Sequence, residues 1–375
     1  MSGIYIHIPY CHKACNYCNF HFSTSMKDIN KMIDSICLEL EKKKHYLNNP
    51  IVETVYFGGG TPSLLNTDQL SSIFQSIQAH YTLSKTAEIT LEANPEDISS
   101  NSLASWKAFG INRLSIGVQS FQDHYLKWMN RNHTSAESLN SIVLAKEYGF
   151  DNISIDLIYG LPNLDATAWR KEINTAIGLN ITHVSTYCLT IEEKTALGNL
   201  VEKGLIDLNN EETIEQHMLI LMEAMKDAGY EQYEISNFCK PTFESKHNSS
   251  YWKRTPYIGI GPGAHSYNGE TRQYNISSNP LYIKYLNTPS FGSVYTVESL
   301  SEDDQYNEYI LTRLRTKWGI KQEEIALFKS VNLLKINQLL DSFCQNGFIV
   351  KENDIYKLTT KGKLLADEIT LRLMV

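Results

Sequence analysis

At 375 residues, 42% hydrophobic and 20% charged, the chain is long enough for one large core plus a smaller module, and it reads as a folded globular protein. A net charge of −8 removes the electrostatic footprint of a protein that wraps nucleic acid, and no apolar run approaches membrane-spanning length. Seven cysteines, three of them between residues 11 and 18, do not read as a secreted disulfide framework but as a metal site in a reducing compartment.

The first predicted strand, Gly3 to Ile8, begins almost at Met1 with no basic segment leading into an apolar stretch. A cytoplasmic location is expected on that ground, with peripheral membrane contact left open. An amphipathic stretch follows at Met26 to Lys44, in which Lys42, Lys43 and Lys44 read as a solvated helix face. Strand Glu53 to Phe57, helix Asp68 to His80 and strand Ala87 to Glu92 continue the rhythm. Strands at Asn112 to Val118, Asn152 to Leu157 and His183 to Leu189 extend it, with helical patterns between them.

Such alternation predicts an α/β fold with a parallel sheet. Six units are fewer than a closed eight-stranded barrel needs, so the expectation is a partial, open (βα)6 barrel with its ligands at the strand C-terminal ends. Beyond Ile191 come a helix at Glu211 to Ala228 and a Gly- and aromatic-rich stretch, Tyr230 to Tyr274, with little periodicity. This stretch is expected to cap the open side. From Ser301 the pattern is helical again; Ile336 to Asn346 runs into two short strands separated by Asn353-Asp354, which predicts a winged-helix-like module. The expected organisation is therefore a barrel over 1–200, a capping region over 201–290 and a winged-helix-like module over 291–375.

Cys11-His-Lys-Ala-Cys15-Asn-Tyr-Cys18 directly follows the first strand. Three soft thiolates on one loop favour iron-sulfur or zinc ligation, the zinc alternative being completed by His7, His12 or His21. Gly58-Gly59-Gly60-Thr61-Pro62 follows the second strand, where glycines let backbone approach a small ligand. Glu92, Gln119 and Asp156 then sit at or near the ends of successive strands. Each alone reads equally well as a helix cap or a loop contact, but on consecutive units they favour ligand orientation. Arg131, in Asn130-Arg131-Asn132-His133, can bind a carboxylate through two parallel hydrogen bonds.

The cysteine spacing, with Tyr17 before the third cysteine, resembles the radical S-adenosylmethionine (SAM) signature. That resemblance implies a radical SAM barrel with a [4Fe-4S] cluster on Cys11, Cys15 and Cys18 whose open iron is chelated by SAM. The likeness extends from Tyr5 through Tyr267 to the oxygen-independent coproporphyrinogen III oxidase family. It implies SAM contacts from Tyr5, Gly59, Gly60, Thr61, Glu92, Gln119, Arg131 and Asp156.

Two features depart from the oxidases proper. Phe20 stands where they carry a further cysteine, and they extend further at the N-terminus. Both features resemble the HemW branch of heme chaperones, as does Lys246-His247-Asn248-Ser249-Ser250-Tyr251-Trp252. On its residues alone, a histidine beside Tyr and Trp reads as packing. The resemblance makes His247 the candidate heme residue, since imidazole is a good axial ligand. His265, in a Gly-rich stretch downstream, is expected to face the same cavity or to pack.

The function so implied is a heme chaperone that binds heme, the cluster and SAM and passes heme to an acceptor hemoprotein, with no nucleic-acid partner. Two alternatives stand beside it. One is a coproporphyrinogen oxidase of porphyrin biosynthesis, in which the reduced cluster cleaves SAM to a radical that attacks a propionate. The other is a zinc-binding interaction protein.

Overall fold

Alternate side chains of a strand point to opposite faces, and the strands of this chain devote one face to packing and the other to polar groups. In the computed structural model, which describes residues 2–47, 51–289 and 291–375, six strands lie side by side, parallel and in chain order. They are β1 (Gly3–Ile8), β2 (Ile51–Gly59), β3 (Thr82–Ala93), β4 (Arg113–Gln119), β5 (Asn152–Tyr159) and β6 (His183–Cys188). Ile4, Ile6, Phe57, Leu91, Leu114, Ile116, Ile153 and Ile155 are buried in one hydrophobic core with the surrounding helices. Helices Thr67–His80 and Ser135–Glu147 start at capping boxes, Asn66 with Gln69 and Thr134 with Glu137, which satisfy otherwise orphaned backbone donors.

The other face of the same strands forms a polar lumen. Register places Tyr5 beside Tyr56, Tyr56 beside Thr90, Thr90 beside Arg113 and Arg113 beside Asn152. The next row is Glu92, Ser115, Ser154 and His183. A barrel interior is more usually filled by branched apolar side chains; here it is lined by hydrogen-bonding groups, which suits ligand handling at its mouth.

Residues 230–274 contribute strands to both edges of this sheet, elements that the weak periodicity of the stretch did not mark. Strands β7 (Glu231–Glu234) and β8 (Asn237–Cys239) pair antiparallel beyond β6, while β9 (Tyr257–Ile260) runs parallel to β1. Antiparallel strands β10 (His265–Tyr267), β11 (Thr271–Asn275) and β12 (Tyr295–Ser299) extend that edge. Strands this short carry too few residues for alternation to show in sequence.

Lys43 departs from the solvated face assigned to it. It is buried, with Nζ 2.7 Å from Glu39 and 3.1 Å from Asn275 Oδ1. Glu39 also accepts from Gly261 N and Tyr282 Oη, so this buried charge pair ties helix Ile29–Lys42 to the loop after β9.

The C-terminal residues form a second core around Tyr306, Ile310, Ile336, Leu340 and Tyr356. Helices Glu302–Leu314 and Leu333–Gln345 pack there against β13 (Ile320–Lys321), β14 (Ile349–Glu352) and β15 (Ile355–Leu358). Asn353 and Asp354 both adopt positive φ, the conformation a two-residue hairpin turn requires. Among the described residues, no helix is long and apolar enough to cross a membrane.

Candidate functional site

A cavity of about 470 Å³ opens at the C-terminal ends of β1 to β6. Its wall includes Cys11, Cys15 and Cys18 from the loop after β1, and Gly59, Gly60 and Thr61 from the turn after β2. Glu92, Gln119, Arg131 and Asp156 complete it from the following units. The fold thus gathers these ten residues, scattered over nearly 150 positions of sequence, at one mouth.

Close backbone approach explains the glycines. A Cβ on Gly60 would lie 2.6 Å from the Tyr10 carbonyl oxygen and 2.7 Å from that of Ile8, so only glycine lets the second loop lie against the start of the cysteine loop. Gly59 has φ +104°, which an L side chain rarely adopts. Further along, Asn130 Nδ2 donates to Ala14 O at 2.7 Å and Asn16 Nδ2 to Trp128 O at 2.6 Å, pinning the cysteine loop to the Arg131 segment.

Hydrogen-bond donors reach two of the thiols: Thr61 Oγ1 to Cys11 Sγ and Arg131 Nη1 to Cys15 Sγ, each at 3.4 Å. Arg131 is oriented by Asn94 Oδ1 at 2.6 Å and Gly117 O at 2.8 Å. Burial pushes the Cys11 thiol up to about 11 and raises Cys18 as well, so metal binding here must displace protons. Three soft thiols on one loop beside an open cavity fit a cluster, in which each thiolate takes a different iron.

Carboxyls line the opposite wall. Burial raises Glu92 to about 7, against the bonds it accepts from Tyr56 Oη (2.7 Å) and Gly59 N (3.2 Å). Asp156 is raised to about 6, again by burial, with Ser185 and the nearby guanidiniums of Arg113 and Arg131 acting against it. A cationic ligand would draw both into the ionised form.

Several neighbours escaped the sequence reading. Arg113 is only 1% exposed, and its Nε has no hydrogen-bond partner among the described residues; its charge supports ionised Glu92 and Asp156 from below. The signal was present in β4, where Arg113, Ser115, Gly117 and Gln119 alternate with Leu114, Ile116 and Val118. Gln119 holds φ +68°, and the chain just after it is fixed by the buried Glu172, which accepts from Phe121 N (2.7 Å), Gln122 Nε2 (2.8 Å) and Ser120 Oγ (3.1 Å). Tyr187 and Cys188, ending β6, also line the cavity.

Two expected residues lie elsewhere. Tyr5 sits within the lumen, bonded through Oη to His7 Nδ1 at 3.2 Å and stacked on Tyr56, and is not on the cavity wall. His247 is 1% exposed. Its Nδ1 is 2.8 Å from Thr54 Oγ1, its Nε2 is 2.7 Å from Tyr251 Oη, and its ring stacks on Tyr56. Both ring nitrogens are thus hydrogen-bonded, and helix Lys246–Trp252 plugs the lumen, its Lys246 and His247 amides donating to Glu88. His265 is exposed on β10, outside the wall of this cavity, with its ring 5.8 Å from that of Tyr274.

Residues 5–174 match the model of the Radical SAM superfamily. The heme chaperone HemW of Bacillus subtilis is 35% identical over 380 residues, covering 98% of each chain. HemW of Mycobacterium tuberculosis is 30% identical, covering 99% of this chain and 94% of its own. Among solved structures, the coproporphyrinogen III oxidase HemN of Escherichia coli superposes with a TM-score of 0.85 over 100% of this chain and 90% of its own. At 21% identity that likeness speaks for the fold alone.

Proposed function

The chain belongs to the heme chaperone HemW family within the radical SAM superfamily, and on that premise we propose that it binds heme and delivers it to an acceptor hemoprotein in the cytoplasm. In this reading Cys11, Cys15 and Cys18 hold a [4Fe-4S] cluster, and Gly59, Gly60, Thr61, Glu92, Gln119, Arg131 and Asp156 surround SAM. Such a cluster, bound by three thiolates, supplies one iron with an exchangeable position for the amino and carboxylate groups of SAM.

The chain's own residues do the rest. Arg131, held by Asn94 and Gly117, presents a fixed guanidinium beside Cys15. Glu92 and Asp156 supply the negative charge that a sulfonium requires, and Gly59 and Gly60 admit the ligand against backbone. Phe20, 67% exposed at the cavity rim, offers apolar surface where the related oxidases carry a further cysteine. Tyr5 contributes as a support for Tyr56, which holds Glu92. Heme ligation by His247 would require one ring nitrogen to be released, Nδ1 from Thr54 or Nε2 from Tyr251.

The observation that carries this reading is the convergence of all the expected cluster and SAM residues except Tyr5 on one cavity, in a chain alike to heme chaperones over its full length. The test is anaerobic reconstitution followed by two assays on one sample, hemin transfer to an apo-hemoprotein and coproporphyrinogen turnover. Transfer without turnover is expected; turnover without transfer would replace the chaperone by the oxidase.

A further inference from the structure

Thr61 and Arg131, the donors that reach Cys11 and Cys15, are held by one side chain. Asn94, the residue after β3, accepts from Arg131 Nη2 through Oδ1 at 2.6 Å and donates from Nδ2 to Thr61 Oγ1 at 3.3 Å. Thr61 Oγ1 in turn donates to Cys11 Sγ, and Arg131 Nη1 to Cys15 Sγ. We propose that Asn94 is a positioning residue that sets how readily the cluster takes up an electron, by fixing the donors on two of its three thiolates at once. The proposal rests on the cluster reading above and deepens it.

Donor and acceptor chemistry allows the relay one direction only. A guanidinium has no acceptor, so the amide must turn Oδ1 toward Arg131 and Nδ2 toward Thr61. The Thr61 hydroxyl accepts from that amide, which leaves its proton for Cys11. The bonds from Asn94 to Thr61 and from Thr61 to Cys11 thus point the same way, away from the fixed positive charge of Arg131, and aligned bonds polarise one another.

Backbone constraints hold the relay in place. Asn94 and Thr61 precede Pro95 and Pro62, and a following proline disfavours helical backbone. Asn94 is accordingly extended, at φ −88° and ψ 150°, and its own amide donates to Ser63 Oγ at 3.4 Å. Thr61 is only 4% exposed, so its hydroxyl is shielded from water. A reduced cluster carries one more negative charge than an oxidised one, and donors to its sulfurs therefore favour the reduced form. Loosening them makes reduction harder.

The test is a dithionite titration of the anaerobically reconstituted full chain, with the reduced cluster followed by electron paramagnetic resonance. In Asn94→Leu, which can make neither bond, the one-electron reduction equilibrium should fall at least threefold, or about 30 mV. Thr61→Val should lower it as well, and the two shifts should not add in the double variant, because Asn94 acts on Cys11 through the same hydroxyl. Thr61→Ser keeps the hydroxyl and should keep the original value. A shift below threefold in Asn94→Leu overturns the proposal, as do additive shifts or a Thr61→Ser shift as large as that of Thr61→Val. If Asn94→Leu assembles no cluster, Asn94→Ser, too short to span Arg131 and Thr61, takes its place under the same criteria. An unmodified chain that assembles no [4Fe-4S] cluster overturns the cluster reading and this inference with it. A cluster that forms but ignores Asn94 removes the inference and keeps the reading.

Discussion

Replacing His247 by Ala tests most directly what the structure changed. The substitution removes a buried ring and leaves Thr54 Oγ1 and Tyr251 Oη without their partner. With each stranded hydroxyl costing about 1 kcal/mol and the cavity adding to it, the loss of unfolding free energy near pH 7 should be about 3 kcal/mol. The pH dependence gives an independent signature. Burial lowers the ring to about 3, so the folded protein keeps it neutral while the unfolded chain takes up a proton below about 6.5. The unfolded state then binds more protons, and stability drains away as pH falls below 6.5, by about 1.4 kcal/mol per unit. Near pH 5 this amounts to about 2 kcal/mol that the Ala variant no longer loses. Urea unfolding of the cluster-free protein near pH 7 and near pH 5 measures both quantities. Other buried histidines, such as His7 and His183, are common to both proteins and cancel in the difference. A variant that loses hemin uptake while matching the original chain in stability and acid sensitivity would show that the ring works as an open ligand, and would refute this account.

Arg131→Lys cannot reproduce the paired contacts to Asn94 and Gly117, and SAM affinity by equilibrium dialysis should fall about tenfold or more with iron content unchanged. Gly60→Ala drives a methyl into the Tyr10 and Ile8 carbonyls, so the reconstituted protein should hold markedly less iron and sulfide than the original; full retention would contradict the packing argument. Glu172→Ala releases three hydrogen bonds that fix the chain after Gln119, and should weaken SAM binding severalfold without touching the cluster absorption. Glu92, raised to about 7 by burial, keeps its proton in the fold after the unfolded chain has lost it near 4.5. Stability of the cluster-free protein should therefore decline as pH rises from about 4.5 through about 7, by on the order of 3 kcal/mol, and Glu92→Gln should flatten that decline in urea titrations.

Six strand-helix units, the cysteine loop and the glycine turn were legible in the sequence because each is local. Period-2 and period-3.6 patterns mark elements, and spacing within one loop marks a ligand set. Even the polar lumen was written in β4, as Arg113, Ser115, Gly117 and Gln119 between apolar neighbours. Residues 230–274 were not readable in this way, because strands of three to five residues gain their structure from the edges they join. The environment of His247 was equally hidden: Thr54 lies 193 positions away, and Tyr56 and Glu88 meet the histidine only when helix Lys246–Trp252 enters the lumen. The same holds for Lys43, whose charge is buried only because Glu39 and Asn275 are brought to it. Sequence by itself determined the three-cysteine loop and the glycine turn, since these depend on residue type and local spacing, while the expectation that they serve a cluster and SAM came from a family resemblance. Tertiary structure decided which polar groups are left free to bind anything, since a buried nitrogen is a ligand or a packing group according to what the rest of the chain places against it.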